Sequence, residues 1–385
     1  MKRIAIFLSI DTFETWFGGI FGLDRKTYVD TYRNDWAWDY GQALRKSGHT
    51  VFIYVLSRGP AELRPVSGGL SVRFLPLPRW HRFADAVLYR LRDWPYGSWV
   101  RALVEWQAFR GVLDRALVED SIDLLYNQEF WTDRFDCLAA GVALPLVGAD
   151  HGAPPRPRSG AKQASFKRAT LLICQSVEQQ ERVQALGGRA VLVTNGVDTE
   201  FFAPVSQGAA SPGKSILSVG RLSNRQKRFS DLISALQWLP DYELTILGTG
   251  EDRVMLERLA VRLRVAERVR FPGFVSDRSQ LRNYYRACGV FVAASAWEAV
   301  ALVVLEAMSC GAAVVTTRIP TFSALVDDGV NGLLVPVGAP EKLAQAIAEA
   351  YVNRVAIGRR ARERIVERYA ASRTYQRLSS LLESA

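Results

Sequence analysis

Histidine, methionine and cysteine are scarce in this 385-residue chain, with three, three and four copies. The four cysteines (Cys137, Cys174, Cys288, Cys310) never form a C-x-x-C pair. With so few histidines, the pattern does not suggest a structural zinc site. Their apolar contexts, such as "LLICQS", fit buried reduced thiols in a cytosolic protein. No D-x-D pair occurs, so two carboxylates at that spacing are not on offer to a divalent cation. No apolar run reaches the roughly 18 residues needed to span a bilayer. The opening "MKRIAIFLSID" starts like a signal peptide, but its apolar core stops at Asp11 and no small-residue cleavage site follows. A first β-strand is the better reading. No period of about 20 to 50 residues points to a solenoid.

What is present is an ordinary globular composition, 49% hydrophobic and 23% charged. The length favours two domains over one core. The net charge of +10 suits an anionic partner, and no nucleic-acid-binding signature accompanies it.

Short apolar runs alternate with helix-length amphipathic stretches, the pattern of parallel α/β architecture. In the first half "RIAIFLSI", "TVFIYVLS", "DLLYNQ", "LPLVGAD", "TLLIC" and "AVLVTN" read as strands. "DWAWDYGQALRKSG" reads as a helix ending on glycine. "FFAPVSQGAASPGKS" breaks the rhythm with Pro, Gly and Ser and reads as a linker. A second series follows: "SILSVG", "YELTILG", "RVRFPG", "GVFVAAS", "AAVVTT" and "GLLVPV". Helix "EKLAQAIAEAYVN" keeps Leu343, Ile347 and Tyr351 on one face, and "SRTYQRLSSLLES" closes the chain as another helix.

The chemistry concentrates in "SAWEAVALVVLEAMSCG", where Glu298 and Glu306 interrupt an apolar run. The order strand, loop, helix, strand puts Glu298 at a helix mouth and Glu306 along its first turns. Ligands of parallel sheets bind at strand carboxyl ends against helix N-termini. A carboxylate there can accept bonds from adjacent sugar hydroxyls. A first-turn acid favoured by the helix dipole, with a partly solvated second acid, would read the same. In "SVGRLSNRQKRFSD", Arg221 follows a strand and Lys227 precedes a helix, a pattern that suits a diphosphate clamp and also a solvated basic loop. "ILGTGED" places Gly248 and Gly250 after another strand, where backbone can approach closely, but the third glycine of G-x-G-x-x-G is missing.

In this order, "TNGVDTEFFAP", "SVGRL" with Lys227, "LTILGTGED", "RFPGFVSD" and the glutamate pair with "LEAMSCG" resemble the retaining glycosyltransferases of family four (glycosyl transferases group 1). The resemblance runs through nearly the whole chain. It implies an α/β GT-B fold: two facing Rossmann-like domains with a deep inter-domain cleft. The expected acceptor domain covers residues 1–204, with a C-terminal helix 366–385 packing back on it, and the expected nucleotide-sugar domain covers residues 205–365.

Roles follow by match to the family. Arg221 and Lys227 would neutralise the donor diphosphate, and Glu306 would hold the ribose. Glu298 would touch the transferred sugar, and His151 in "GADHGAPP" would lie near that sugar. Gly18 and Gly19 in "TWFGGIFG" match the glycine loop after the first strand. Ala299, Val300, Ala301 and Leu302 would line the donor site. The family usually has Gly-Phe-Gly or similar after the first acid, so Ala299, Val300 and Ala301 imply a tighter sugar pocket. The stretch "IFGLDRKTYVDTYRNDWAWDY" is also unusual and would cover the acceptor site.

The implied reaction moves a hexose, from UDP-hexose first and GDP-hexose second, to a hydroxyl of a lipid, glycan or small metabolite. No cofactor or metal is implied, since two cations would replace one. The expected location is the cytoplasm or the inner face of its membrane. Residues 79–97 put Trp80, Phe83, Val87, Leu91 and Trp94 on one stripe flanked by Arg79, Arg82, Arg90 and Arg92. Such a stripe suits an anionic membrane, although a stripe packed on the first domain is the commoner arrangement. A GT-B nucleotide-sugar epimerase and a catalytically silent sugar-nucleotide scaffold are the competing readings.

Overall fold

The computed structural model describes residues 1–33, 36–81, 83–84, 87, 97–150, 159–205, 213–298 and 301–385. Two compact units emerge: Met1–Thr194 together with Tyr375–Ala385, and Asn195–Thr374.

The first unit is built on eight strands: β1 (Arg3–Phe7), β2 (Thr50–Ser57), β3 (Glu62–Ser67), β4 (Leu70–Pro76), β5 (Leu124–Gln128), β6 (Leu146–Ala149), β7 (Leu171–Cys174) and β8 (Ala190–Leu192). Their order is 3-4-2-1-5-6-7-8, and only the β3–β4 pair is antiparallel. Continuous apolar strands such as β2, almost wholly buried, are what a sheet covered on both faces requires. Beneath it Phe109 and Leu113 of helix Gly97–Glu119 join Phe130, Phe135 and Phe166 in the core. Helix Trp36–Lys46 stops where Gly48 adopts φ +94°. There the His49 N–H bonds Leu44 O at 3.1 Å and the Gly48 N–H bonds Arg45 O at 2.9 Å, a Schellman ending.

Strands β3 and β4 were absent from the sequence reading. Gly68 and Gly69, at φ +48° and +91°, make their two-residue turn. Positive φ at both central residues is what a type I′ hairpin needs, and a Gly-Gly pair between alternating segments was the available signal.

The second unit holds a wholly parallel sheet of β9 (Ser215–Val219), β10 (Glu243–Leu247), β11 (Val269–Gly273), β12 (Val290–Ala293), β13 (Val314–Thr317) and β14 (Leu333–Val335), ordered 11-10-9-12-13-14. All six were read from the sequence. Residues 197–204 belong to this unit: Val197 N–H bonds Tyr369 O at 2.8 Å and Arg286 Nε bonds Ala203 O at 2.6 Å. Helix Arg354–Arg368 also stays here, with Ile357, Ala361 and Ile365 buried. Only from Tyr375 does the chain join the first unit, its ring 4.9 Å from Tyr40.

Of the stripe in residues 79–97, Trp80, Phe83 and Val87 are 47%, 78% and 60% exposed. Arg82, Arg90, Leu91, Arg92 and Trp94 lie outside the described residues.

Candidate functional site

In the second sheet the strand order reverses between β9 and β12, so the loops leaving their carboxyl ends diverge and open a crevice. After β9 the chain makes a single helical turn, Asn224–Lys227. Asn224 ties it in place: Asp252 Oδ2 accepts its N–H at 2.7 Å, and its Oδ1 accepts the Ser230 N–H of the next helix at 2.8 Å. Arg228 then takes a left-handed φ of +54° and pairs with Asp231 at 2.9 Å, which starts the next helix and leaves Lys227 at the turn's end.

The loop after β12 meets this turn. Ala296 N–H donates to Gln226 O at 2.7 Å. Lys227 Nζ lies 2.6 Å from Glu298 Oε1, which also accepts the Ser295 hydroxyl at 2.6 Å. Gln226 Nε2 donates to Trp297 O at 3.3 Å and reaches Glu298 Oε2 at 3.4 Å. Thr321 and Thr317 hydroxyls bond the carbonyls of Glu298 and Ser295. Lys227 and Glu298 are 18% and 9% exposed as side chains, so each offsets the other's desolvation. They border a small pocket with Ser295, Ala301, Val303 and Phe322.

Arg221 leaves the same strand end as Lys227 but is exposed. Gly248 and Gly250 have a packing reason to be glycine. A Cβ on Gly248 (φ +136°) would sit 1.9 Å from Gly220 O, and one on Gly250 would sit 2.5 Å from Leu222 O. These glycines let the β10 loop press against the β9 loop, with Leu222 N–H bonding Thr249 O at 2.8 Å.

Glu306 lies on helix Leu302–Ser309, which starts after Ala301 with no side-chain cap. Its Oε2 accepts the Tyr285 hydroxyl at 2.9 Å, and Arg278 Nη2 stands 3.8 Å from Oε1. Burial and the adjacent acid push the Tyr285 hydroxyl well above the usual tyrosine range, so it is a proton donor here. Leu302 opens the helix half-buried. Ala299 and Val300 lie outside the described residues.

In the first unit the expected glycine loop is helical. Gly18 and Gly19 have φ −70° and −75°, ordinary helical values, in a turn that follows β1. A Cβ would meet nothing nearer than 3.7 Å at Gly18 and 3.4 Å at Gly19, so neither position demands glycine. His151 lies outside the described residues. The unusual stretch after Gly19 forms helix Arg25–Asp30, capped by Asp24, and buries Tyr28 and Tyr32 among Phe13, Phe17 and Trp38. Gln226, Ser295 and Tyr285 were not foreseen. Gln226 had the one usable signal, its place beside Lys227.

Residues 201–370 match the family model described as glycosyl transferases group 1, and residues 36–201 match glycosyltransferase family 4. The phosphatidyl-myo-inositol mannosyltransferase of Mycolicibacterium smegmatis is 34% identical over 322 residues, 80% of this chain and 77% of that protein. The lipopolysaccharide core biosynthesis glycosyltransferase LpsE of Rhizobium meliloti is 33% identical over 223 residues, 53% of this chain and 62% of that relative's own length. The solved structure of HepE from Anabaena with UDP-glucose shares the fold, with TM-score 0.68, 19% identity and 100% of both chains covered.

Proposed function

Because the chain belongs to the group 1 glycosyl transferases, also described as glycosyltransferase family 4, we propose that it transfers a hexose from a nucleotide diphosphate sugar to a hydroxyl acceptor, retaining the anomeric configuration. UDP-hexose is the first donor to try, as the HepE complex with UDP-glucose suggests, and GDP-hexose the second. The observation that carries this reading is the Lys227–Glu298 pair, 2.6 Å apart at the β9/β12 switch point.

As the bond from sugar to diphosphate breaks, negative charge grows on the leaving oxygen. The Lys227 ammonium, with the Arg221 guanidinium, stabilises it where it forms. The backbone N–H groups at Ala301 and Leu302, opening the helix that bears Glu306, add to the same anion site. Glu298, turned by Lys227 and Ser295, accepts hydroxyls of the transferred sugar, and Glu306 accepts those of the ribose. The acceptor oxygen attacks from the face the diphosphate leaves, and its proton passes to the departing phosphate. His151 and the Gly18–Gly19 turn belong to the sugar and acceptor side of this scheme. Two fixed cations take the place a divalent ion would fill, so the reaction runs without added metal. The acceptor we favour is held at an anionic membrane, which the exposed Trp80, Phe83 and Val87 and the net charge of +10 suit.

The test is incubation with a panel of nucleotide sugars while free nucleotide is measured. Release only on adding an acceptor extract supports transfer. Interconversion of the sugar would instead identify an epimerase, and tight binding without turnover a silent scaffold.

A further inference from the structure

Tyr285 sits on helix Arg278–Ala287, behind the helix that carries Glu306, and only 1% of its surface is exposed. Its ring is clamped edge-on by Phe291, centroids 5.6 Å apart, and by Phe202 at 6.1 Å. With the ring locked, the hydroxyl has one fixed position, 2.9 Å from Glu306 Oε2. Arg278 approaches the other carboxylate oxygen at 3.8 Å, while its guanidinium lies over the Phe202 ring at 5.1 Å.

A glutamate has three freely turning side-chain torsions, and a carboxylate that must meet the two hydroxyls of a sugar loses that freedom on binding. A rigid donor from behind removes the loss beforehand. We infer that Tyr285 is a positioning residue for the nucleotide: its hydroxyl locks the Glu306 carboxylate in the orientation that accepts a vicinal diol, with Arg278 balancing the charge from the side. The inference rests on the reading of Glu306 as the ribose acid. Without the hydroxyl, the carboxylate swings toward Arg278 and closes into an ion pair that competes with the ribose. The consequence is selective: ribose recognition weakens while diphosphate recognition does not.

The experiment is calorimetric binding of UDP and 2′,3′-dideoxy-UDP, with the GDP pair in parallel, to wild type, Tyr285→Phe, Glu306→Gln and the double variant. Phe keeps the ring and its packing, and melting temperature reports any wider damage. Tyr285→Phe should weaken UDP about 5- to 10-fold, the size of an ordinary net hydrogen bond, and leave dideoxy-UDP within about twofold. The double variant should bind UDP no worse than Glu306→Gln alone, because the two groups act as one unit. In Tyr285→Phe the loss should fall on donor KM and not on kcat. Unchanged preference for UDP in Tyr285→Phe, with the preference lost in Glu306→Gln, overturns the positioning role and leaves the ribose reading standing. Full preference retained in Glu306→Gln removes Glu306 from the ribose and the inference with it. Equal losses for both nucleotides in Tyr285→Phe mean the tyrosine is only structural.

Discussion

Both sheets have a switch point, and the two are furnished differently. Between β1 and β5 the first unit places neutral groups, with Asn127 Nδ2 donating to Ser9 Oγ at 3.0 Å and to Phe7 O at 3.4 Å. Charges nearby are used up internally: Arg134 bonds Glu105 at 2.6 Å and Ile10 O at 2.6 Å. Between β9 and β12 the second unit places a lysine and a glutamate in direct contact, with an exposed arginine on the same loop. The same reversal of strand order therefore gives one crevice a neutral character and the other an electrostatic one. Among the described residues, only the second crevice sets a lysine against a glutamate, and those charges are carried by the loops that leave the strand ends.

The largest expected effect removes that difference. Lys227→Ala should lower kcat about 10²–10³-fold, as loss of one anion-stabilising donor does, and more than it raises the donor KM. Arg221→Lys should also be harmful, because an ammonium cannot reproduce the planar fork, and added Mg²⁺ should rescue neither. Steady-state kinetics on protein checked by circular dichroism decides. A near-normal kcat in Lys227→Ala would make the loop a solvated surface and move the active site elsewhere.

Next in size is Glu306→Gln, which should weaken UDP by roughly tenfold through a weaker acceptor for the ribose. In the first unit, Asn127→Ala should act on the fold and not on the donor. Phe7 O and Ser9 lose a buried donor, costing about 1–3 kcal/mol read by urea melting, while donor KM stays put. A raised donor KM there would erase the contrast between the crevices.

Membrane contact is expected to be weaker. Wild type should bind anionic vesicles at low salt and release as salt rises, and Trp80→Ala with Phe83→Ala should abolish the binding. Indifference of the wild type to such vesicles at low salt removes the lipid surface from the proposal.

The smallest effect is a pH slope belonging to the first unit alone. His49 Nδ1 accepts the Lys2 N–H at 3.1 Å and Nε2 bonds Ser379 at 2.9 Å. Burial lowers its pKa below the usual 6.5, more than nearby Glu383 raises it. The unfolded chain then binds a proton that the folded chain refuses. Its contribution is fully present above about pH 6.5 and is lost as pH falls toward the folded value. Thermal melts from pH 8 to 5 should slope downward, and His49→Gln should flatten them.

The second sheet was legible because its inner strands, β12 and β13 above all, are buried on both faces and stand out as apolar runs between polar helices, while β11 at the edge was marked by the Pro-Gly that ends it. In the first sheet β3, at the edge, and β4, beside it, escaped, since "ELRPVS" and "LSVRFLP" alternate polar and apolar residues and look like loop. Local pattern also placed Glu298 at a helix mouth and Glu306 along its turns, because helix ends follow nearby residues. It gave no sign that Gly18 and Gly19 take helical φ values.

Sequence alone therefore determined the strand–helix alternation and the second sheet, and singled out Arg221, Lys227, Glu298 and Glu306 as candidates. Only the tertiary structure decided that Lys227 takes Glu298 as its partner across 71 residues of chain, that Tyr285 stands behind Glu306, and that Gly248 and Gly250 yield to backbone. The physical reason is range. Hydrophobic periodicity and capping act within a few turns of chain and leave a mark in the local pattern. A 2.6 Å ion pair is set by which strand ends the sheet order makes neighbours, and no local pattern records that.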